Sequence, residues 1–242
     1  THIMQYIYGP VKSRRLGASL GITVTHFKYC LFDCVYCQLK KTTNFTAQRR
    51  EYIKASVILA ELEQFLKDYP DYKKIDYITL SGSGEPLLNS AVKNIILGIK
   101  KLSHVPVALI TNSALLKDAK VRKDISDLDL IVPSLDAVTQ DIFEKIDRPF
   151  EASIKVADII DALIELRKEF PGKIWLEIML VKDINDGIEH IEKFKEVLKF
   201  IGPDKVHINI PSRPPSEAWV KIPSRQRLKA IQAILGEACE LI

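Results

Sequence analysis

The chain has 242 residues, 47% of them hydrophobic and 27% charged, the composition of a globular protein with enough length for a full core and not of a disordered chain. No apolar run approaches the roughly 18 residues that span a bilayer and no signal-peptide pattern opens the chain, so a cytoplasmic protein without a membrane partner is expected. Net charge is +4, yet residues 1–50 hold eight basic side chains against one acidic, leaving the other 192 residues at −3. Positive charge at one end points either to a solvated loop face or to an anionic partner.

Thr1 to Ile3 stand ahead of Met4, read as an expression remnant, and take no part in the fold reading. Leu20–Thr25 mixes β-branched and apolar residues and is the first predicted strand. Over Val57–Tyr69 the spacing of Ile58, Leu62, Phe65, Leu66 and Tyr69 predicts a helix, stopped by Pro70. Tyr77–Leu80 is the second strand, and Asn89 can cap a helix carrying Val92, Ile95, Ile96 and Ile99. Val107–Thr111 and Leu130–Leu135 are strands three and four, with a short helix, Ala119–Leu128, between them. A long amphipathic helix over Ser153–Phe170 ends at Pro171 and Gly172, and Ile174–Val181 is strand five. Ile188–Ile201 repeats the helical stripe, Val206–Ile210 is strand six, and Ser224 can cap a last helix in which Cys239 would sit as an idle thiol.

Strand and helix thus alternate six times, which implies parallel strands with right-handed crossovers. Six units are too few for a closed eightfold barrel. The expected fold is α/β, a partial (β/α)6 barrel open on one side and built as one domain over residues 1–242. Function in such folds gathers at the C-terminal ends of the strands.

Those ends carry the chemistry. Cys30, Cys34 and Cys37 fall within eight residues after strand one, a spacing that marks a metal site rather than a disulfide framework. Three thiolates can hold three corners of an iron–sulfur cubane, leaving one iron open as catalytic metal sites leave a position for substrate. The alternatives are a structural zinc site with His26 as fourth ligand, which would suit a zinc-stabilised RNA-binding module, and an electron carrier, which would need a fourth cluster ligand. Ser81-Gly82-Ser83-Gly84-Glu85-Pro86 ends strand two: its glycines leave backbone open to a ligand, and Glu85 can accept from an ammonium. Asn112 ends strand three, Ser134 and Asp136 strand four, and Asn185 follows strand five.

The cysteine spacing, with aromatic Tyr36 before the third cysteine, resembles the radical S-adenosylmethionine (SAM) signature. The Ser81–Pro86 turn is similar to that superfamily's Gly-Gly-Glu-Pro motif, with Ser83 in place of the first glycine. The resemblance implies a [4Fe–4S] cluster on Cys30, Cys34 and Cys37 and SAM as second cofactor. It places Tyr36 near the adenine, and Ser83, Gly84 and Glu85 at the amino group. Asn112, Ser134 and Asp136 become candidates for the ribose and carboxylate, and Asn185 for the adenine edge. It also implies a one-electron donor such as flavodoxin or ferredoxin, and reductive cleavage of SAM to methionine and a 5′-deoxyadenosyl radical that abstracts hydrogen from substrate.

Tyr8-Gly9-Pro10-Val11-Lys12-Ser13-Arg14-Arg15-Leu16-Gly17 and Arg213-Pro214-Pro215-Ser216-Glu217-Ala218-Trp219 extend the likeness to short proteins grouped with the tRNA wyosine-base synthases. Unlike the archaeal synthases, this chain lacks a second cysteine set, which speaks against the wyosine reaction. An uncovered barrel of this length also looks similar to glycyl-radical activating enzymes of the pyruvate formate-lyase type, so RNA and a protein loop both stay open as substrates. Arg14, Arg15, Asn209 and Arg213 are the substrate candidates. The two N-terminal arginines could take a phosphate bidentately or pair with carboxylates under the barrel.

Overall fold

The computed structural model describes residues 4–242; Thr1–Ile3, set aside above, lie outside them. Among the described residues ten strands and seven α-helices follow one another, most of them in alternation. An edge strand β1 (Ile7–Ser13) turns antiparallel into β2 (Gly17–Thr23). A two-residue ribbon, β3 (Tyr29–Cys30) with β4 (Asn44–Phe45), lies in the loop after β2. Then come α1 (Ala55–Asp68), β5 (Tyr77–Ser81), α2 (Val92–Leu102), β6 (Val107–Thr111), α3 (Ala119–Asp124) and β7 (Leu130–Pro133). The chain continues through α4 (Gln140–Ile146), α5 (Val156–Glu169), β8 (Lys173–Met179), α6 (Ile188–Ile201), β9 (Lys205–Asn209), α7 (Arg225–Leu235) and β10 (Cys239–Leu241).

Eight of these strands form one sheet in the order β1-β2-β5-β6-β7-β8-β9-β10, parallel from β2 onward. All six predicted strands are present, each followed by a helix. The sheet does not close: β1 and β10 are its two free edges.

Period-2 alternation sorts the side chains. Leu20, Ile22, Ile78, Leu80, Val107, Leu109, Leu176, Ile178 and Ile208 point outward into one apolar core shared with the helices. Ser19, Gly21, Thr79, Ser81, Glu177, Met179 and Asn209 point the other way and line a cavity of about 480 Å³. Small and polar residues on that face keep the lumen open where bulky ones would fill it.

Three local features depart from the expectations. Residues Ile7–Ser13 form a strand although Gly9 and Pro10 interrupt its pattern, because an outer edge with a register shift between Tyr8 and Val11 does not need the proline's missing N–H. Cys239 lies not in a helix but in edge strand β10, where it alone of the three residues is buried, since α7 stops at Leu235 and Gly236 turns the chain at φ +93°. Asn89 does not cap α2 at Val92; it is buried, its amide donating to the Val24 and Ile53 carbonyls at 2.7 and 2.9 Å. Ser224 caps α7 as expected, accepting from the Arg227 N–H at 3.1 Å.

Candidate functional site

The cysteine loop is held by what lies between its cysteines. Leu31, Phe32 and Val35 are buried in the core, with Phe32 edge-on against Phe143 of α4. Backbone hydrogen bonds from Asp33 to Asp147 and Arg148, from Val35 to Ile146 and from Phe150 to Leu31 fasten the loop to the end of α4. The apolar residues therefore point inward, and Cys34 and Cys37 line the lumen.

A second fastening joins this loop to the Ser81–Pro86 turn at the end of β5. Lys28 N–H donates to the Ser83 carbonyl and Glu85 N–H to the Tyr29 carbonyl, the latter at 2.9 Å. Contact is close enough that a Cβ on Gly84 would fall 2.3 Å from the Tyr29 carbonyl oxygen. Gly84→Ala is accordingly expected to push the two loops apart at a cost of about 1–3 kcal/mol, read as a lower urea midpoint.

Glu85 is buried, and burial raises its pKa above the ordinary carboxylate value. Its oxygens accept from Leu87 N–H at 3.1 Å, Thr111 Oγ1 at 2.6 Å and Asn112 N–H at 2.9 Å, filling three of roughly four acceptor positions on a carboxylate. Asn112 continues the chain of contacts, its Nδ2 reaching Cys30 Sγ at 3.5 Å. Tyr36, Gly84, Glu85, Asn112 and Ser134 all line the lumen together with Cys34 and Cys37.

Two of the expected SAM contacts are placed elsewhere. Asp136 is buried behind Tyr36, accepting from its hydroxyl and, at 2.7 Å, from Met179 N–H. Burial pushes its pKa up to about 6. Asn185 is 0% exposed, and its amide is consumed internally: Nδ2 donates to the Asp136 and Met179 carbonyls, and Oδ1 accepts from Val181 N–H. Neither side chain reaches the main cavity; both brace the elements that carry Tyr36 and Met179. Ser83 contributes its carbonyl to Lys28 rather than a side chain to the lumen.

The four substrate candidates do line the lumen, but they are not alike. Arg15 forms an ion pair with Glu177 of β8, the structural alternative weighed above. Arg14 pairs with no Asp or Glu side chain among the described residues, donating to the Ile242 backbone oxygen at 3.0 Å, Asn209 Oδ1 at 2.9 Å and Ser212 Oγ at 3.1 Å. Arg213 reaches Gln38. The two N-terminal arginines thus reach from the β1–β2 turn across to β8, β9 and the residue after β10.

The donor set fits an iron–sulfur cluster. Burial pushes the Cys30 thiol up to about 12, with Glu85 adding to it, and raises the Cys34 thiol as well; thiols so desolvated become thiolates only beside a cation. Among the described residues no three His, Cys, Asp or Glu side chains converge as ligands of a single ion. His26 packs edge-on against Tyr29 and Tyr52. Cys239 lies in β10, off the loop that carries the other three.

Sequence reasoning missed Lys28, Asp147 and Tyr8. Cys34 Sγ donates to Asp147 Oδ1 at 3.3 Å, and Tyr8, whose ring lies against Gly21, meets Ser81 Oγ at 2.7 Å. Lys28 carried the one readable signal, a cation two residues before the first cysteine; the other two are brought in by tertiary contacts.

Segment Pro211–Pro223 crosses over the cysteine loop. Lys40 Nζ donates to the Pro215 carbonyl at 2.9 Å, Glu217 N–H to the Val35 carbonyl at 3.0 Å, and Arg148 Nη1 to Glu217.

Comparison with known proteins agrees with this geometry. Residues 24–201 match the family model described as the Radical SAM superfamily. The chain is 36% identical over 234 residues to a UPF0026 protein of Methanocaldococcus jannaschii, covering 97% of this chain and 72% of that one. It is 37% identical to a protein named GTPase Obg of Brachyspira hyodysenteriae over 97% of its own length, but spans only 34% of that relative. A probable dual-specificity RNA methyltransferase RlmN of Thermotoga sp. strain RQ2 is 29% identical over 86% of this chain and 59% of its own. Among solved structures, a radical SAM methyltransferase from Sphaerobacter thermophilus superposes with a TM-score of 0.66 at 16% identity, covering 93% of this chain and 66% of that one.

Proposed function

The chain belongs to the radical SAM superfamily, and from that premise we propose that it cleaves SAM reductively at a [4Fe–4S] cluster on Cys30, Cys34 and Cys37 to take a hydrogen atom from an RNA substrate. Superfamily membership makes it an enzyme that uses SAM and an iron–sulfur cluster; cluster type, residue roles and substrate are the proposal. The observation that carries it is one lumen, at the C-terminal ends of parallel strands, lined by cysteines of the loop after β2 and by the Ser81–Pro86 turn.

With both groups bound, one electron from a donor such as flavodoxin or ferredoxin would enter the sulfonium, split a carbon–sulfur bond and leave a carbon radical that takes hydrogen from substrate. The chain's own part is positioning. Gly84 and the turn's backbone meet the SAM amino group, with Glu85 offering its remaining acceptor position. Tyr36 packs by the adenine, held in place by Asp136, while Asn112 and Ser134 face the ribose and carboxylate. Arg14 and Arg213 receive substrate phosphate; Arg15 does not, because its charge is spent on Glu177, and Asn209 orients Arg14.

RNA is favoured over a protein loop by the basic excess of residues 1–50 and by the relative named as an RNA methyltransferase. Anaerobic protein reconstituted with iron and sulfide, then given dithionite and SAM, is expected to release 5′-deoxyadenosine. Deuterium from labelled bulk RNA is expected to appear in that nucleoside. An intact cluster that yields no 5′-deoxyadenosine sinks the reading; label arriving only from protein sinks the RNA part of it.

A further inference from the structure

Lys28 is the outlier of the cysteine loop. It is only 3% exposed, yet among the described residues no carboxylate forms an ion pair with it, and the one partner of its ammonium is Cys37 Sγ at 3.4 Å. A buried charge is ordinarily paired, and a neutral thiol is a weak acceptor. Left with a thiol, this ammonium would be stranded; against a thiolate it gains a charge-assisted hydrogen bond. The backbone gives an independent sign. Lys28 occupies the left-handed region at φ +56°, where a side chain is strained and glycine is not. Its N–H is fixed by the Ser83 carbonyl and its own carbonyl by Asn44 N–H at 3.1 Å. A lysine kept in a conformation better suited to glycine, with its head buried on a ligand sulfur, is kept for that head.

We propose that Lys28 is the built-in counter-charge of the iron–sulfur cluster, hydrogen-bonded to the Cys37 sulfur and setting how readily the cluster accepts an electron. The inference rests on the cluster reading above. On one-electron reduction the external donor loses an electron and the cluster becomes more negative by one charge. A fixed cation in contact with a ligand sulfur favours that form, since net charge, hydrogen bonds to sulfur and burial are what set such potentials. Lys28 touches the ligand and not the substrate, so its signature is a potential and not a binding constant.

The test compares wild type with Lys28→Met, which fills the same space without charge, and Lys28→Arg, which keeps the charge. Each is reconstituted and titrated by electron paramagnetic resonance without SAM. Lys28→Met is expected to lower the reduced-to-oxidised ratio at a fixed ambient potential about tenfold, equivalent to about 59 mV for one electron, with Lys28→Arg close to wild type. Should Lys28→Met fail to load while Lys28→Arg loads, iron and sulfide content carries the same conclusion. An unmoved potential in a loaded Lys28→Met overturns the proposal, as does weakened SAM binding with the potential unchanged, which would make the lysine a ligand contact. Equal loss of iron in both variants overturns it as well, since shape and not charge would then be required. Wild-type protein without iron and sulfide would sink the parent reading instead.

Discussion

Alanine in place of Cys30, Cys34 or Cys37, one at a time, is expected to strip most of the iron from the reconstituted protein and reduce 5′-deoxyadenosine formation to background. The fold should survive each change. Leu31, Phe32 and Val35 anchor the loop in the core, and its backbone is tied to α4 and to the Ser81–Pro86 turn by hydrogen bonds that involve no sulfur. Removing Cys30 or Cys34 loses one weak contact, to Asn112 or Asp147, so these two variants should unfold within about 1 kcal/mol of the metal-free wild type, the usual worth of a single hydrogen bond, whereas Cys37→Ala also takes the one partner, among the described residues, of the buried Lys28 ammonium and should cost more. Cys239→Ala is the internal control, because that thiol packs in β10; it should keep full iron content and activity. Iron and sulfide analysis beside circular dichroism separates the outcomes. Retention of a full cluster by any of the three loop variants would contradict the ligand assignment.

The largest stability effect is expected at the other end of the lumen. Arg15 and Glu177 pair with side chains 21% and 9% exposed, so removing one partner leaves the other charge in a poorly solvated wall. Losing one partner of a buried pair costs about 3–5 kcal/mol; with Arg15 partly open to water, about 2–3 kcal/mol is expected for Arg15→Met in urea unfolding. Glu177→Gln should cost less, since it keeps an acceptor for the guanidinium. The double variant Arg15→Met with Glu177→Leu should recover much of the loss, because replacing both charges removes the desolvation penalty altogether. A single variant as stable as wild type would show that solvent already screens the pair.

The six-unit barrel was legible because each parallel strand is a short apolar, β-branched run and each helix repeats its stripe every three to four residues. The cysteine loop and the Ser81–Pro86 turn were legible because their chemistry is local. What escaped was set by distance along the chain. Strand β1 is disguised by Gly9 and Pro10 and exists only because β2 accepts it at the edge. Helix α4 is seven residues long, too short for periodicity to register. Asp136 and Asn185 follow β7 and β8 in the chain, yet a position after a strand says nothing of which way a side chain turns. Both face inward, as hydrogen-bond partners of Tyr36, Met179 and Val181. Arg15 pairs with a residue on β8, a partner no local pattern could name.

The segment Pro211–Pro223, joined to Val35, Lys40 and Arg148, has a consequence for biosynthesis. Translation delivers the three thiols about 180 residues ahead of Glu217 in the strap that crosses them. At about 5–20 residues per second the interval is on the order of 10–40 s, during which the nascent loop is still uncovered on that flank. The cluster proposed above would find its easiest access to the thiols within that window, before Glu217 N–H reaches the Val35 carbonyl.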